Sequence, residues 1–306
     1  MNKSELHGVI VPLITPVDRD DRVDEESLRK LVRFLLDAGV HGLLAGGSSS
    51  EAPLLTADQW GRMMEIVFDE AKDAVPLIGG AMETSTNRII ERIHILAQIG
   101  YSNFAVTPSY YISLKTDDEF LRLYGRCKEA IGDNEMIVYN IPSCVGSSLS
   151  VKIICEMAER GWTQYCKDSS GDFAFLKNLV SNGRDANLKV FYGGEAFIPE
   201  ALLCGAAGVV PITANYEPQT FVQAYNAVVD HNTDELLRLN KRILLLRELL
   251  FLAGSCWISG TKYAVSTLGK GNGKPVCPLQ PLNQKQKNVI NRLEGDEKCL
   301  QREKDC

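Results

Sequence analysis

Lys167 stands directly after Tyr165-Cys166, at the end of a short β-rich run. A lysine in such a place is a candidate amine nucleophile. At its ordinary pKa, about 10.4, the side chain is almost wholly ammonium at neutral pH and cannot attack a carbonyl. Partial desolvation in a barrel mouth penalises the ammonium form and opens the way to Schiff-base chemistry. The plainer reading is a lysine that snorkels to a rim or pairs with Asp168. A second candidate is the run Gly46-Gly47-Ser48-Ser49-Ser50-Glu51. Small consecutive residues leave backbone N–H groups open, and serine hydroxyls add donors, so a carboxylate can dock there. An ordinary βα loop has the same composition. Tyr139 and Tyr110 have the phenol needed to relay protons, although strand-end tyrosines also serve as packing.

Other chemistries fit less well. The four histidines, His7, His41, His94 and His231, show no ligand spacing with one another or with cysteines, so no metal is expected. There is no GxSxG elbow, no GxGxxG after the first strand and no Walker A loop. A net charge of −6 argues against a nucleic-acid partner. No apolar run approaches 18 residues, so no membrane partner is expected. The nine cysteines include no CxxC pair, and the start lacks an apolar signal core, so a reducing cytoplasm is the expected location.

The elements that must position these residues alternate along the chain. Strands are expected near Val9–Ile14, Gly42–Ala45, Leu77–Gly79, Phe104–Val106, Met136–Tyr139, Gln164–Cys166, Val190–Tyr192 and Gly208–Val210. Pro12 weakens the first as a central strand, because it cannot donate to a ladder. Apolar stripes at helical spacing lie between them: Leu28, Leu31, Val32, Leu35 and Leu36; Met63, Met64, Ile66 and Val67; Ile89, Ile90, Ile93, Leu96 and Ala97. Thr56 with Gln59, and Thr116 with Glu119, predict capping boxes. Eight such units predict an α/β fold, a (β/α)8 TIM barrel with a C-terminal helical extension; a doubly wound open sheet is the runner-up. The barrel is assigned residues 1–220 and the helical region 221–306. Helices are expected at 221–229, 234–252 and 258–268, then a glycine loop from Gly269 to Pro275, and fraying from Glu294 to Cys306. In a barrel, the segments after the strands form the rim of the active site.

Together these segments resemble the dihydrodipicolinate synthase/N-acetylneuraminate lyase family of pyruvate-dependent class I aldolases, from Gly8 to about Gly269. The resemblance rests on Gly8-Val9-Ile10-Val11-Pro12-Leu13-Ile14-Thr15-Pro16, the Gly47–Glu51 loop, Thr107-Pro108-Ser109-Tyr110-Tyr111, Tyr139-Asn140-Ile141-Pro142, Lys167–Asp172, Gly208–Asn215 and Lys262-x-Ala264 to Gly269. It implies that Lys167 is the Schiff-base nucleophile and Tyr139 the proton shuttle. Ser48 would link Tyr139 to Tyr110, the latter reaching in from a neighbouring subunit. The implied substrate-binding set is Gly47, Ser48, Ser49, Cys144, Gly193, Glu195, Val210 and Asn215. No cofactor is implied beyond the covalent lysine imine. The implied partners are a 2-oxo acid (pyruvate), an aldehyde and further copies of the chain, as a dimer of dimers.

Departures from the family's pattern steer the specificity. Its dihydrodipicolinate-forming members have an arginine where this chain has Cys144, and cysteine offers no cationic fork. Ser50 replaces a glycine, and serines replace the loop's threonines. Glu195 is either a ligand for substrate hydroxyls or a helix N-terminal acid. The resulting expectation is a lyase that cleaves or forms a 2-oxo-3-deoxy acid with pyruvate. Dihydrodipicolinate synthase, a non-catalytic 2-oxo-acid-binding protein and a metal-dependent barrel hydrolase are the competing readings.

Overall fold

A computed structural model describes residues 5–252 and 256–292. Eight parallel strands close into a barrel in sequence order. They are β1 (Gly8–Pro12), β2 (Gly42–Ala45), β3 (Leu77–Gly80), β4 (Asn103–Val106), β5 (Glu135–Asn140), β6 (Tyr165–Asp168), β7 (Lys189–Tyr192) and β8 (Gly208–Val209). Around them run α1 (Glu25–Asp37), α2 (Ala57–Ala71), α3 (Thr86–Ile99), α4 (Asp117–Ile131), the short α5 (Pro142–Val145), α6 (Val151–Glu159), α7 (Phe173–Gly183), α8 (Ile198–Leu203) and α9 (Pro218–Val229). Three further helices follow: α10 (Thr233–Leu252), α11 (Trp257–Thr267) and α12 (Gln284–Ile290). The open-sheet alternative is therefore set aside. The boundary expected at residue 220 falls inside α9, which packs on β1 and so continues the barrel wall. The expected fraying at the far C-terminus lies outside the described residues.

Two cores hold the barrel. Inside it, Ile10, Leu44, Ile78, Ala105, Ile137, Tyr165, Phe191 and Val210 pack together, with Leu6 closing the lower end. Outside, the opposite faces of the strands meet the helical stripes, where Leu28, Leu31, Val32 and Leu35 are fully buried. Each such side chain contributes about 1.5–3 kcal/mol. The α3 stripe is narrower than expected: Ile89, Ile93 and Leu96 are buried, whereas Ala97 is exposed. One capping box forms as expected, at Thr116 and Glu119. At Thr56 only half forms, because Gln59 Oε1 accepts the Val23 N–H instead.

Pro12 is tolerated in β1 for a visible reason. It pairs with Leu44 on one side, but β8 ends opposite Val9, so no strand asks for a Pro12 N–H on the other. Asn215 closes that gap. Its Nδ2 donates to Pro12 O (2.9 Å) and Ile212 O (2.8 Å), and its Oδ1 accepts from Ile14 N (3.2 Å).

Candidate active site

Lys167 lies within β6 rather than after it, one residue deeper than its sequence suggests. It pairs in register with Tyr139 on β5 and Phe191 on β7. Strand alternation puts Tyr165 and Lys167 on the inner face and Cys166 and Asp168 on the outer one. Lys167 is 6% exposed, and its Nζ sits 3.9 Å from the centroid of the Tyr139 ring. The Tyr139 hydroxyl is 3.4 Å from Ser48 Oγ. The amine thus rests on the face of the tyrosine ring whose hydroxyl meets the serine.

Pairing of Lys167 with Asp168 does not occur. Asp168 accepts from Asn140 Nδ2 (2.8 Å) and Ser170 Oγ (2.9 Å), bracing the ends of β5 and β6. Burial pushes its carboxyl up, against the pull of those hydrogen bonds. Lys167 makes no ion pair among the described residues.

The Gly46–Glu51 loop is a wound turn. Gly46 takes φ 72°, and the N–H groups of Ser50 and Glu51 turn back onto Gly47 O and Ser48 O. Ser50 is fully buried where the family has glycine; its Oγ donates to Leu13 O (2.7 Å) and accepts from Gly46 N (3.1 Å). This leaves the Ser48 and Ser49 N–H groups with no acceptor among the described residues, beside their own hydroxyls. Such a nest suits an anion. Gly47 shapes the turn from below without lining the cavity.

These groups line one cavity of about 430 Å³. Lys167, Tyr139, Ser48, Ser49 and Val210 are at its base; Tyr192, Phe197, Arg247, Phe251 and Trp257 add an aromatic wall with one cation. Gly193 also lines it, and a Cβ there would meet Ser169 Oγ at 2.0 Å and Lys167 Cε at 3.1 Å. Glu195 reaches the same cavity but is 4% exposed, with Oε1 accepting from Thr213 N (2.9 Å) and Thr213 Oγ1 (3.1 Å). Burial pushes its carboxyl up.

Besides Gly47, three expected site residues do not line the cavity. Asn215 does not line the cavity; its amide is spent on the backbone contacts described above. Cys144 is exposed on α5, and its neighbour Ser143 lines the cavity in its stead. Although the residue as a whole is exposed, partial burial of its sulfur pushes the Cys144 thiol up, opposed by Ser143 and by the charge of Lys167. Tyr110 is half-buried against the Tyr139–Ile141–Val145 cluster and faces a separate recess with Glu83, Arg88 and Arg92. Conversely, Arg247 and Phe251 were not expected here. Their spacing of four puts them on one face of α10, but nothing local says that this face borders the barrel mouth.

The arrangement combines a buried amine, a phenol beside a serine hydroxyl, and a turn with two open N–H groups. Among the described residues no group of three or more His, Cys, Asp or Glu is placed to hold a metal ion. The profile of the dihydrodipicolinate synthetase family matches residues 5–294. A 4-hydroxy-tetrahydrodipicolinate synthase of Methanopyrus kandleri is 29% identical over 290 residues, covering 94% of this chain and 95% of that protein. An uncharacterized DapA-like lyase of Halobacterium salinarum is 29% identical over 278 residues, covering 91% and 90%. Among solved structures, the dihydrodipicolinate synthase of Bacteroides thetaiotaomicron superposes with TM-score 0.90 at 25% identity, covering 97% of this chain and 100% of that one. The E. coli K12 prophage protein YagE, in complex with pyruvate, superposes with TM-score 0.91 at 21% identity, covering 96% and 99%.

Proposed function

We infer the activity from a premise already shown: this chain belongs to the dihydrodipicolinate synthetase family and, like its members, is a lyase of the class I aldolase type. The proposed reaction cleaves or forms a 2-oxo-3-deoxy acid, with pyruvate as the common partner. The observation that supports it most is the line Lys167–Tyr139–Ser48 at the base of one cavity.

In this reading the pyruvate carboxylate docks on the Ser48 and Ser49 N–H groups. The Lys167 amine attacks the C2 carbonyl, giving a carbinolamine. Tyr139 passes a proton to the departing hydroxyl, water leaves, and an iminium remains. The iminium withdraws electrons from C3, so the Tyr139 phenolate takes up a C3 proton and an enamine forms. Its attack on an aldehyde makes the new C–C bond while Tyr139 returns the proton to the aldehyde oxygen; hydrolysis of the iminium releases the amine and the product. Cleavage is the reverse. Ser48 Oγ relays the Tyr139 proton, and Tyr110 extends the relay across a subunit contact in the proposed dimer of dimers. No metal or separable cofactor takes part. Val210 forms the floor and Gly193 keeps the lysine's path open. The pyruvate bound to YagE supports this reading. A cytoplasmic location is part of the proposal, supported by the free state of all seven described cysteines.

A panel of 2-oxo-3-deoxy acids, read by pyruvate release, tests it: at least one is turned over, and Lys167→Ala abolishes that turnover. A panel with no pyruvate release from any member contradicts it. The names of the relatives favour a second reading, condensation of pyruvate with aspartate semialdehyde. Cys144 counts against it. Robust consumption of aspartate semialdehyde establishes that reading in place of the first.

A further inference from the structure

Only two cations line the cavity among the described residues: Lys167 at the base and Arg247 on α10. In the proposed reaction Lys167 is consumed as the imine, and the Ser48–Ser49 nest takes the first carboxylate. Arg247 then has no assigned task. Its guanidinium lies 5.3 Å from the Phe251 ring centroid and makes no hydrogen bond or ion pair among the described residues. Its charge draws on the Glu195 carboxyl, but one oxygen of that group is already held by Thr213 and the two form no ion pair. The α5 side of the mouth offers Ser143 and Cys144, neither of them a cation. A half-buried guanidinium presents a planar fork of N–H donors that matches a carboxylate in two parallel bonds.

We propose that Arg247 grips a second carboxylate, on the far half of the substrate, so that this site takes dicarboxylic 2-oxo acids. The proposal rests on the Schiff-base reading of Lys167. A carboxylate is favoured over a phosphate ester by charge: one fork balances one negative charge, whereas a phosphate dianion sets surplus charge beside Glu195 with no second cation to meet it. The volume also fits, since about 430 Å³ is far more than pyruvate alone fills.

Borohydride trapping measures this without relying on turnover. The half-saturating concentration for adduct formation at Lys167 is determined for pyruvate, 2-oxoadipate and 2-oxohexanoate, in the wild type, Arg247→Met and Arg247→Lys. A parallel pair, 2-oxo-3-deoxygluconate and its 6-phosphate, tests the phosphate. The expected result is a wild-type preference for 2-oxoadipate over 2-oxohexanoate of about tenfold. The preference falls toward unity in Arg247→Met and is partly kept in Arg247→Lys. Equal half-saturation of the two acids overturns the proposal, as does exclusion of both or a preference that survives Arg247→Met. A larger preference for the phosphate ester overturns the carboxylate assignment. Absence of the pyruvate adduct itself is a separate failure, that of the Schiff-base reading.

Discussion

A methyl group at position 193 has nowhere to go: it would sit 2.0 Å from Ser169 Oγ and press on Lys167 Cε. Gly193→Ala therefore displaces the side chain of the proposed nucleophile. The expected outcome is a loss of kcat of tenfold or more, together with a stability cost of about 1–3 kcal/mol from overpacking. Steady-state kinetics beside thermal melts check it; unchanged kcat would show that Lys167 is not confined there. At this scale the sequence is uneven evidence. That Lys167, Tyr139 and Ser48 would share one cavity was readable, because residue type and motifs at strand ends mark them. Asn215 was not, since an amide serves a ligand or a backbone equally well until its three partners are known. Arg247 was missed because it belongs to a helix whose position relative to the barrel has no local signature.

Between elements, stability comes from apolar stripes and from a few polar clamps. Glu70 on α2 holds Arg29 and Arg33 of α1. The hydrogen bond from Arg33 holds its carboxyl below the usual range, with burial opposing and Arg29 assisting. A carboxyl whose folded pKa is depressed stabilises the fold above its unfolded value, about 4.3, and loses that contribution as pH falls through the folded one. Glu70→Gln should thus lower the melting temperature at pH 7 and flatten its decline below about pH 4. A melting curve across pH that keeps the wild-type acid limb contradicts this. Asn215→Ala strands three backbone groups at about 1–3 kcal/mol each where water cannot replace the amide, so a loss above about 2 kcal/mol is expected by denaturant titration. Strand positions were legible from β-rich runs bounded by glycine and proline. Their ends were not: Lys167 and Asp168 look like loop residues until the register with β5 and β7 draws them into β6.

At the scale of the molecule, a fully buried ion pair helps tie the C-terminal helices to the barrel. Lys262 Nζ on α11 meets Glu51 Oε2 at 2.6 Å, and the other Glu51 oxygen accepts the Val276 N–H at 2.6 Å. Glu51 itself ends the Ser48–Ser49 nest in a left-handed conformation, φ 54°. Distant parts of the chain thereby set the shape of the proposed anion site. Removing one partner leaves a buried charge, so Lys262→Met should cost about 3–5 kcal/mol, and Glu51→Gln in the same chain should restore part of it. Denaturant titration of the single and double variants checks this; an additive double variant would show that the two charges are not coupled. The closed barrel was legible from the count of alternating units, and the helical region from its leucine spacing. That α10 and α11 complete the cavity was not, because such contacts join residues far apart in the chain.

All of this turns on the Lys167 amine condensing with a ketone. Incubation with pyruvate and borohydride, followed by mass mapping of the peptides, should find a reduced pyruvyl adduct on Lys167 and none on Lys262. An unmodified Lys167, or an adduct that persists elsewhere in Lys167→Ala, would contradict the account.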